Sequence, residues 1–273
     1  MRASSVISIV CTICFSLLIG ISCRTHASES RSASNPVTES ATKNAKGKAD
    51  NPCGQFDHIN TLVRDGQIDR RTAQSEIKAL VPQLRDYFYA HGGTDNQSGK
   101  WTFPLDGYGP RSIGGTSGSG YIIKGYDYFD GNKHAGHPAH DIFINDKNQD
   151  TLDDCTKKPV NVLSVSNGVV VARETEWQPD SDMRGGKYIF IYEPATNNLY
   201  YYAHNNLVLV EIGQIVKDGD VIAHVGRTGK SAYEKRSPTH LHFMYMTIDN
   251  GYPKALNPYN KLLTAETRPS GCK

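Results

Sequence analysis

The run Lys187-Tyr188-Ile189-Phe190-Ile191-Tyr192, followed after Asn197-Asn198 by Leu199-Tyr200-Tyr201-Tyr202-Ala203, decides the fold. Aromatic and β-branched residues fill both runs, and the Asn pair between them is turn chemistry. Similar runs recur at 168–172, 221–225 and 240–246, with clusters such as Asp218-Gly219-Asp220 between them. No helical pattern intervenes after Trp101, so the expected class is mainly β, an antiparallel sheet or sandwich. The Gly- and Ser-rich stretch 107–120 reads as a long surface loop bordering a site.

Upstream the texture changes. Phe56, Ile59, Leu62 and Val63, then Ile77, Leu80, Val81, Leu84, Tyr87 and Phe88, fall at intervals of three and four, which is helical spacing. Asp65-Gly66 separates the two groups, Asp69 is a candidate cap, Pro82 is expected to kink the second helix, and His91-Gly92-Gly93 ends it. The segment 53–95 therefore reads as a helical hairpin preceding a β-rich domain at 96–273. Residues 28–52 are polar and small, with too little apolar surface to offset ordering entropy, and read as a disordered linker. Residues 1–27 carry one early Arg, an apolar run from Val6 to Ile21 and a small-residue zone, the anatomy of an export signal. Two processing readings stay open: cleavage after Ala27, or a lipoprotein signal ending before Cys23, whose acylation would tether the protein to a membrane. Either places the body outside the cytoplasm, in the periplasm or at an outer-membrane or cell surface.

Lys+Arg number 30 against 28 Asp+Glu, a formal charge of +2, which gives no basic field of the kind a nucleic-acid binder needs. Outside the signal and Cys23, the cysteines are Cys53, Cys155 and Cys272, which allow one bridge in an oxidising compartment. Cys272 is the expected partner at a terminus that would otherwise fray, with Cys155 preferred over Cys53; the pairing is not deducible from the sequence.

A lone histidine is more often a satisfied polar residue than a ligand, and His26, His58, His91 and His224 have no partner motif. His134 has no acid four residues on, and the other five form three patterns. His137-Pro138-Ala139-His140-Asp141 has two candidate ligands that would stand about 13 Å apart if fully extended, so the chain must bend, and Pro138 gives a reason. His240-Leu241-His242 places two imidazoles on one face of a strand, about 6.6 Å apart. Tyr201-Tyr202-Ala203-His204 ends an aromatic strand in a third. Imidazoles with one carboxylate suit Zn²⁺, whose catalytic sites commonly take three protein ligands and keep one position for water. With His137, Asp141 and His242 as the three, His204 and His240 remain as catalytic imidazoles. Zinc lowers the pKa of bound water to roughly 7, so a metal-bound water can serve as nucleophile in peptide hydrolysis.

The chain resembles the lysostaphin-type zinc endopeptidases of bacterial cell walls, the M23 or LytM-like family, over roughly 101–258. The likeness is carried in order by Asn167-Gly168-Val169-Val170, Gly185-Gly186-Lys187-Tyr188-Ile189, Tyr201-Tyr202-Ala203-His204, Gly213 to Ile222, Val225-Gly226-Arg227-Thr228-Gly229 and Thr239-His240-Leu241-His242-Phe243. It implies an antiparallel sheet with a groove, one zinc ion on residues matching His137, Asp141 and His242, and catalytic roles for His204 and His240. We assign His240 to water activation and His204 to the oxyanion or leaving group. The implied substrate and partner is peptidoglycan, cut at its peptide crosslinks. Some members lack ligands and act as activators of other wall hydrolases; all the positions are present here, although His140 in place of a more common spacer could compete for the metal.

Weaker signals complete the reading. Tyr188, Tyr202 and Arg227 are candidates to line the groove. Asp146, Asn148 and Asp150 alternate as calcium ligands do, but the turn Gly is missing and Lys157 stands where a Glu is needed. Gly226 to Ser231 imitates a phosphate loop without its opening Gly, so no nucleotide is expected.

Overall fold

A computed structural model describes residues 51–268. The signal, the linker up to Asp50, Cys23 and Cys272 lie outside the described residues. Helix α1 spans Pro52–Arg64, with the Asn51 side chain capping Gly54 N and Pro52 in the first turn, where its missing N–H costs nothing. Helix α2 spans Arg70–Ala90, capped by Asp69 through Arg71 N and Thr72 N. It runs unbroken through Pro82. Gly66 between the helices sits at φ +67°, a left-handed turn that suits glycine.

Ten strands follow: β1 (Ala139–Phe143), β2 (Asn161–Leu163), β3 (Gly168–Glu174), β4 (Lys187–Glu193), β5 (Asn198–Asn205), β6 (Leu207–Val208), β7 (Ile215–Val216), β8 (Val221–His224), β9 (His240–Asp249) and β10 (Tyr252–Leu256), with a last short helix α3 at Tyr259–Leu263. The expected mainly β, antiparallel class is what forms. Seven strands make the main sheet in the order β1-β9-β5-β4-β3-β7, with β10 also paired to β9; β2, β8 and β6 make a second sheet. Every strand pair is antiparallel. β9 is long enough to pair β1 with its first half and β10 with its second, while β5 lies along its other edge.

Strand alternation divides the core into two. On one face Tyr188, Phe190 and Tyr192 of β4 and Met244 and Met246 of β9 meet Phe56, Ile59, Ile77, Leu84 and Phe88 of the helices. On the other, Ile189, Ile191, Tyr200, Tyr202 and Phe243 meet the small sheet through Val162, Ile222 and Ala223. Trp101 seals that second core edge-on against Tyr200, Phe243 and Tyr245 at 5.4, 5.8 and 5.0 Å, a preferred aromatic geometry. The helical hairpin shares a core with the sheet, and it covers the face from which Asp141 and His242 project.

Cys155 is disulfide-bonded, and Cys53 is free. Cys53 is buried against the sheet, and burial pushes its thiol up to about 12, which leaves it inert as a nucleophile.

Candidate metal centre

The site is assembled by register. Asp141 on β1 lies directly opposite His242 on β9, and His242 lies opposite Ala203 on β5. His137 sits four residues before Asp141, just before β1, where a bridge to Ile122 turns the chain back towards the sheet. Both side chains of that pair reach one place. His137 Nε2 and His242 Nδ1 each stand 3.1 Å from the same Asp141 oxygen. The three donor atoms lie within 4.8 Å of one another, the only such group of His, Cys, Asp or Glu among the described residues. Ligand atoms at about 2.1 Å from a tetrahedral zinc would stand about 3.4 Å apart, so the donor set fits that ion.

The other two imidazoles share the space. His204 and His240 have ring centres 4.9 Å apart, and His204 is 5.4 Å from His242. Simple alternation would send His204 to the far face with Tyr202, but its φ of +66° is left-handed and turns the ring back to the side of His242. The neighbours then fix the tautomers. His240 Nδ1 donates to the Pro238 carbonyl at 2.7 Å, and His204 Nδ1 donates to the Thr228 carbonyl at 2.8 Å. Carbonyls only accept, so each ring keeps its proton on Nδ1 and leaves Nε2 with a lone pair. His137 is held likewise, donating from Nδ1 to the Gly120 carbonyl at 2.9 Å, within the glycine-rich loop expected to border a site.

Burial and charge tune the same groups. His204 is driven well below the ordinary histidine range by burial, then by His240 and His242 beside it. Burial likewise pushes His242 down to about 4 against the pull of Asp141. Burial opposes ionisation of Asp141, but hydrogen bonds from His137 and His242 outweigh it and hold the carboxyl far below its usual range. For His137 burial acts downward and the Asp141 bond and charge act upward; the net shift is upward.

A cavity of about 270 Å³ opens over these residues. Its walls include Tyr126, Tyr188, Phe190 and Tyr201 from the β domain and Asn60, Val63 and Arg64 from α1. Asn60 ties the two parts together: its amide donates to the Tyr188 hydroxyl at 3.1 Å, and its oxygen accepts from Tyr128 at 3.0 Å.

Of the residues expected to line the groove, Tyr188 does so. Tyr202 does not: it is 0% exposed in the core on the opposite face, where its hydroxyl accepts from Val165 N. Arg227 does not either: 8% exposed, it donates to the carbonyls of Ser237 and Glu234 and to the Thr239 hydroxyl, clamping the loop that delivers His240. His140 is also turned away from the donor set, its Nε2 3.1 Å from Asn257 Oδ1. In the suggested calcium loop, Asp146 accepts from the amides of Asp150 and Thr151 and from the Thr239 hydroxyl, and Asp150 from Leu152 N and Asn148. Those carboxylates shape the loop. The orienting carbonyls of Gly120, Thr228 and Pro238, and the contribution of α1, carried no signal in side-chain identity.

An antiparallel sheet presenting two imidazoles and a carboxylate to one point, with two oriented imidazoles beside it, could hold a metal ion and place two proton acceptors next to it. Residues 150–258 match the model of Peptidase family M23. The match takes in His204, His240 and His242 and begins after His137 and Asp141, which the fold supplies. Among solved structures, the chain is similar to lytM from Ruminococcus gnavus (28% identity over 48% of this chain and 47% of that one, TM-score 0.37). It is similar to the antimicrobial peptidase lysostaphin from Staphylococcus simulans (28%, over 46% and 43%, TM-score 0.33). A zinc containing peptidase from Vibrio cholerae is a third (21%, over 62% and 40%, TM-score 0.36). The chain spans about half the length of the first two.

Proposed function

We propose that the protein is a zinc-dependent endopeptidase that hydrolyses the peptide crosslinks of peptidoglycan. The observation that supports this most directly is the convergence of His137, Asp141 and His242 on one point while His204 and His240, each locked by a backbone carbonyl, present bare Nε2 atoms to the same cavity. Zinc on the three ligands would polarise the scissile carbonyl and make water a nucleophile near neutral pH. His240 takes the water proton on Nε2. His204, kept neutral by burial, steadies the carbonyl oxygen or serves the leaving amine. The aromatic walls hold an extended peptide and shield the centre from bulk water.

Export belongs to the same reading: the apolar run Val6 to Ile21 would deliver the enzyme to the wall, and acylation of Cys23 would tether it there. Among the described residues no helix is long and apolar enough to cross a membrane. Mass spectrometry of the mature N-terminus distinguishes a lipidated Cys23 from cleavage after Ala27.

Purified protein is expected to bind one zinc and release soluble muropeptides from wall sacculi. His242→Ala should lose the metal. His204→Asn, which suits a left-handed backbone, should retain zinc and lose about a hundredfold or more in rate. Loss of zinc from His204→Asn would overturn the ligand assignment, and zinc without turnover in the unaltered protein would favour a binding or activating module.

A further inference from the structure

We propose that Arg184 anchors a carboxylate of the substrate peptide beside the scissile bond, so that the enzyme selects crosslinks flanked by a free acid over their amidated counterparts. This rests on the reading of the site as a wall-peptide hydrolase and adds the chemistry it selects.

Arg184 belongs to the loop between β3 and β4, and its position is fixed at both ends. Gly185 next to it offers its carbonyl to His204 N at 3.0 Å, which ties the backbone to the catalytic strand. Arg184 N donates to Asn132 Oδ1 at 3.0 Å, and Asn132 Nδ2 donates to the Asp182 carbonyl at 3.0 Å. These bonds lace the 182–185 loop to the segment that leads into His137. The side chain then crosses to the other wall, where Nη1 donates to the His134 carbonyl at 2.5 Å. Both Arg184 and His134 line the cavity that holds His137, Asp141, His204 and His242.

The charge is uncompensated. Arg64, the other arginine lining this cavity, is paired with Asp65 at 2.7 Å and Glu174 at 2.8 Å. Nearby Lys230 is paired with Asp182. Arg184 forms no ion pair among the described residues, and its Nε and Nη2 have no hydrogen-bond partner among them. With Nη1 held by a carbonyl, the Nε–Nη2 edge is the one left without a partner among the described residues, and two parallel N–H groups at that spacing match a carboxylate. A peptide lying across the metal ligands would carry any acid flanking its scissile bond to this edge.

The test uses one synthetic crosslinked stem-peptide dimer made twice, with a free carboxylate at the residue flanking the scissile bond or with the carboxamide. For the unaltered zinc-loaded protein the ratio of kcat/KM, acid over amide, should be about tenfold, and Arg184→Gln should bring it close to one. Asn132→Ala, which loosens the same loops without touching the charge, should leave the ratio near its original value. Calorimetric Kd values for both peptides give a readout that needs no turnover. If neither peptide is cut but the acid binds more tightly, and Arg184→Gln abolishes that difference, the hydrolase reading falls and the anchor stands. A ratio near one in the unaltered protein, no detectable binding of either peptide, or an equal loss on both substrates in Arg184→Gln would overturn the anchor.

Discussion

One metal-ligand candidate and both neighbouring imidazoles commit a ring nitrogen to a backbone carbonyl: His137 to Gly120, His204 to Thr228 and His240 to Pro238. Each ring is thereby fixed in tautomer and direction before any ligand arrives, as metal and catalytic imidazoles require. The arrangement has a signature in pH. Asp141 raises His137 above the ordinary value of 6.5, while burial drops His242 to about 4. As pH falls through the His137 pKa a proton occupies the nitrogen that faces Asp141 and competes with zinc, whereas His242 stays unprotonated until far lower. Zinc affinity should therefore fall about tenfold per unit below the His137 pKa, the slope of one proton, and level off above it. Chelator competition followed across the pH scale checks this; a two-proton slope would mean that a second ligand titrates together with His137. The sequence revealed these residues because imidazoles and acids at short spacing have few other uses. It concealed the inward turn of His204, which depends on a left-handed dihedral that no side-chain pattern announces.

At the scale of the element, period two decides what each strand offers the site. Tyr201 and Ala203 share the helix-covered face with His242, and Tyr200 and Tyr202 share the other. The sequence shows that adjacent tyrosines part to opposite faces but not which face holds the donor set, so it points to Tyr202 for the groove although Tyr201 is the one that lines it. Arg227 misleads for a related reason: a guanidinium in a loop reads as exposed until the carbonyls around it are seen. The helices were legible from apolar spacing, their landing place was not, since an amphipathic hairpin fits either side of a two-faced sheet. Leu84 on α2 is fully buried there. Leu84→Ala should cost about 2–5 kcal/mol in denaturant unfolding, whereas Val221→Ala, 40% exposed, should change stability by less than about 0.5 kcal/mol. A small loss at Leu84 would show that the hairpin is loosely held.

In the whole molecule, one sheet serves two cores, and each strand of its centre contributes to both. Separating the hairpin from the β domain would expose Tyr188, Phe190 and Tyr192 together with the cavity that Asn60, Val63 and Arg64 help to wall. We expect calorimetry to record a single unfolding transition in which the calorimetric and van't Hoff enthalpies agree. Two resolved transitions would mean that the hairpin and the sheet fold as separate units. The motifs mark the β domain, and apolar spacing marks the hairpin without showing where it docks. The shared core and the Asn60 bridge make it a wall of the site.

β9 lies between β1 and β5 in the main sheet and carries two of the histidines, yet among the described strands only β10 follows it in chain order. Asn60 on the first helix and His242 on β9 both face the one cavity, although 182 positions separate them in the sequence. A polypeptide still leaving the ribosome therefore has no assembled donor set. The grip on an ion comes into being only once β9 has paired between β5 and β1, so loading with metal has to follow folding rather than guide it.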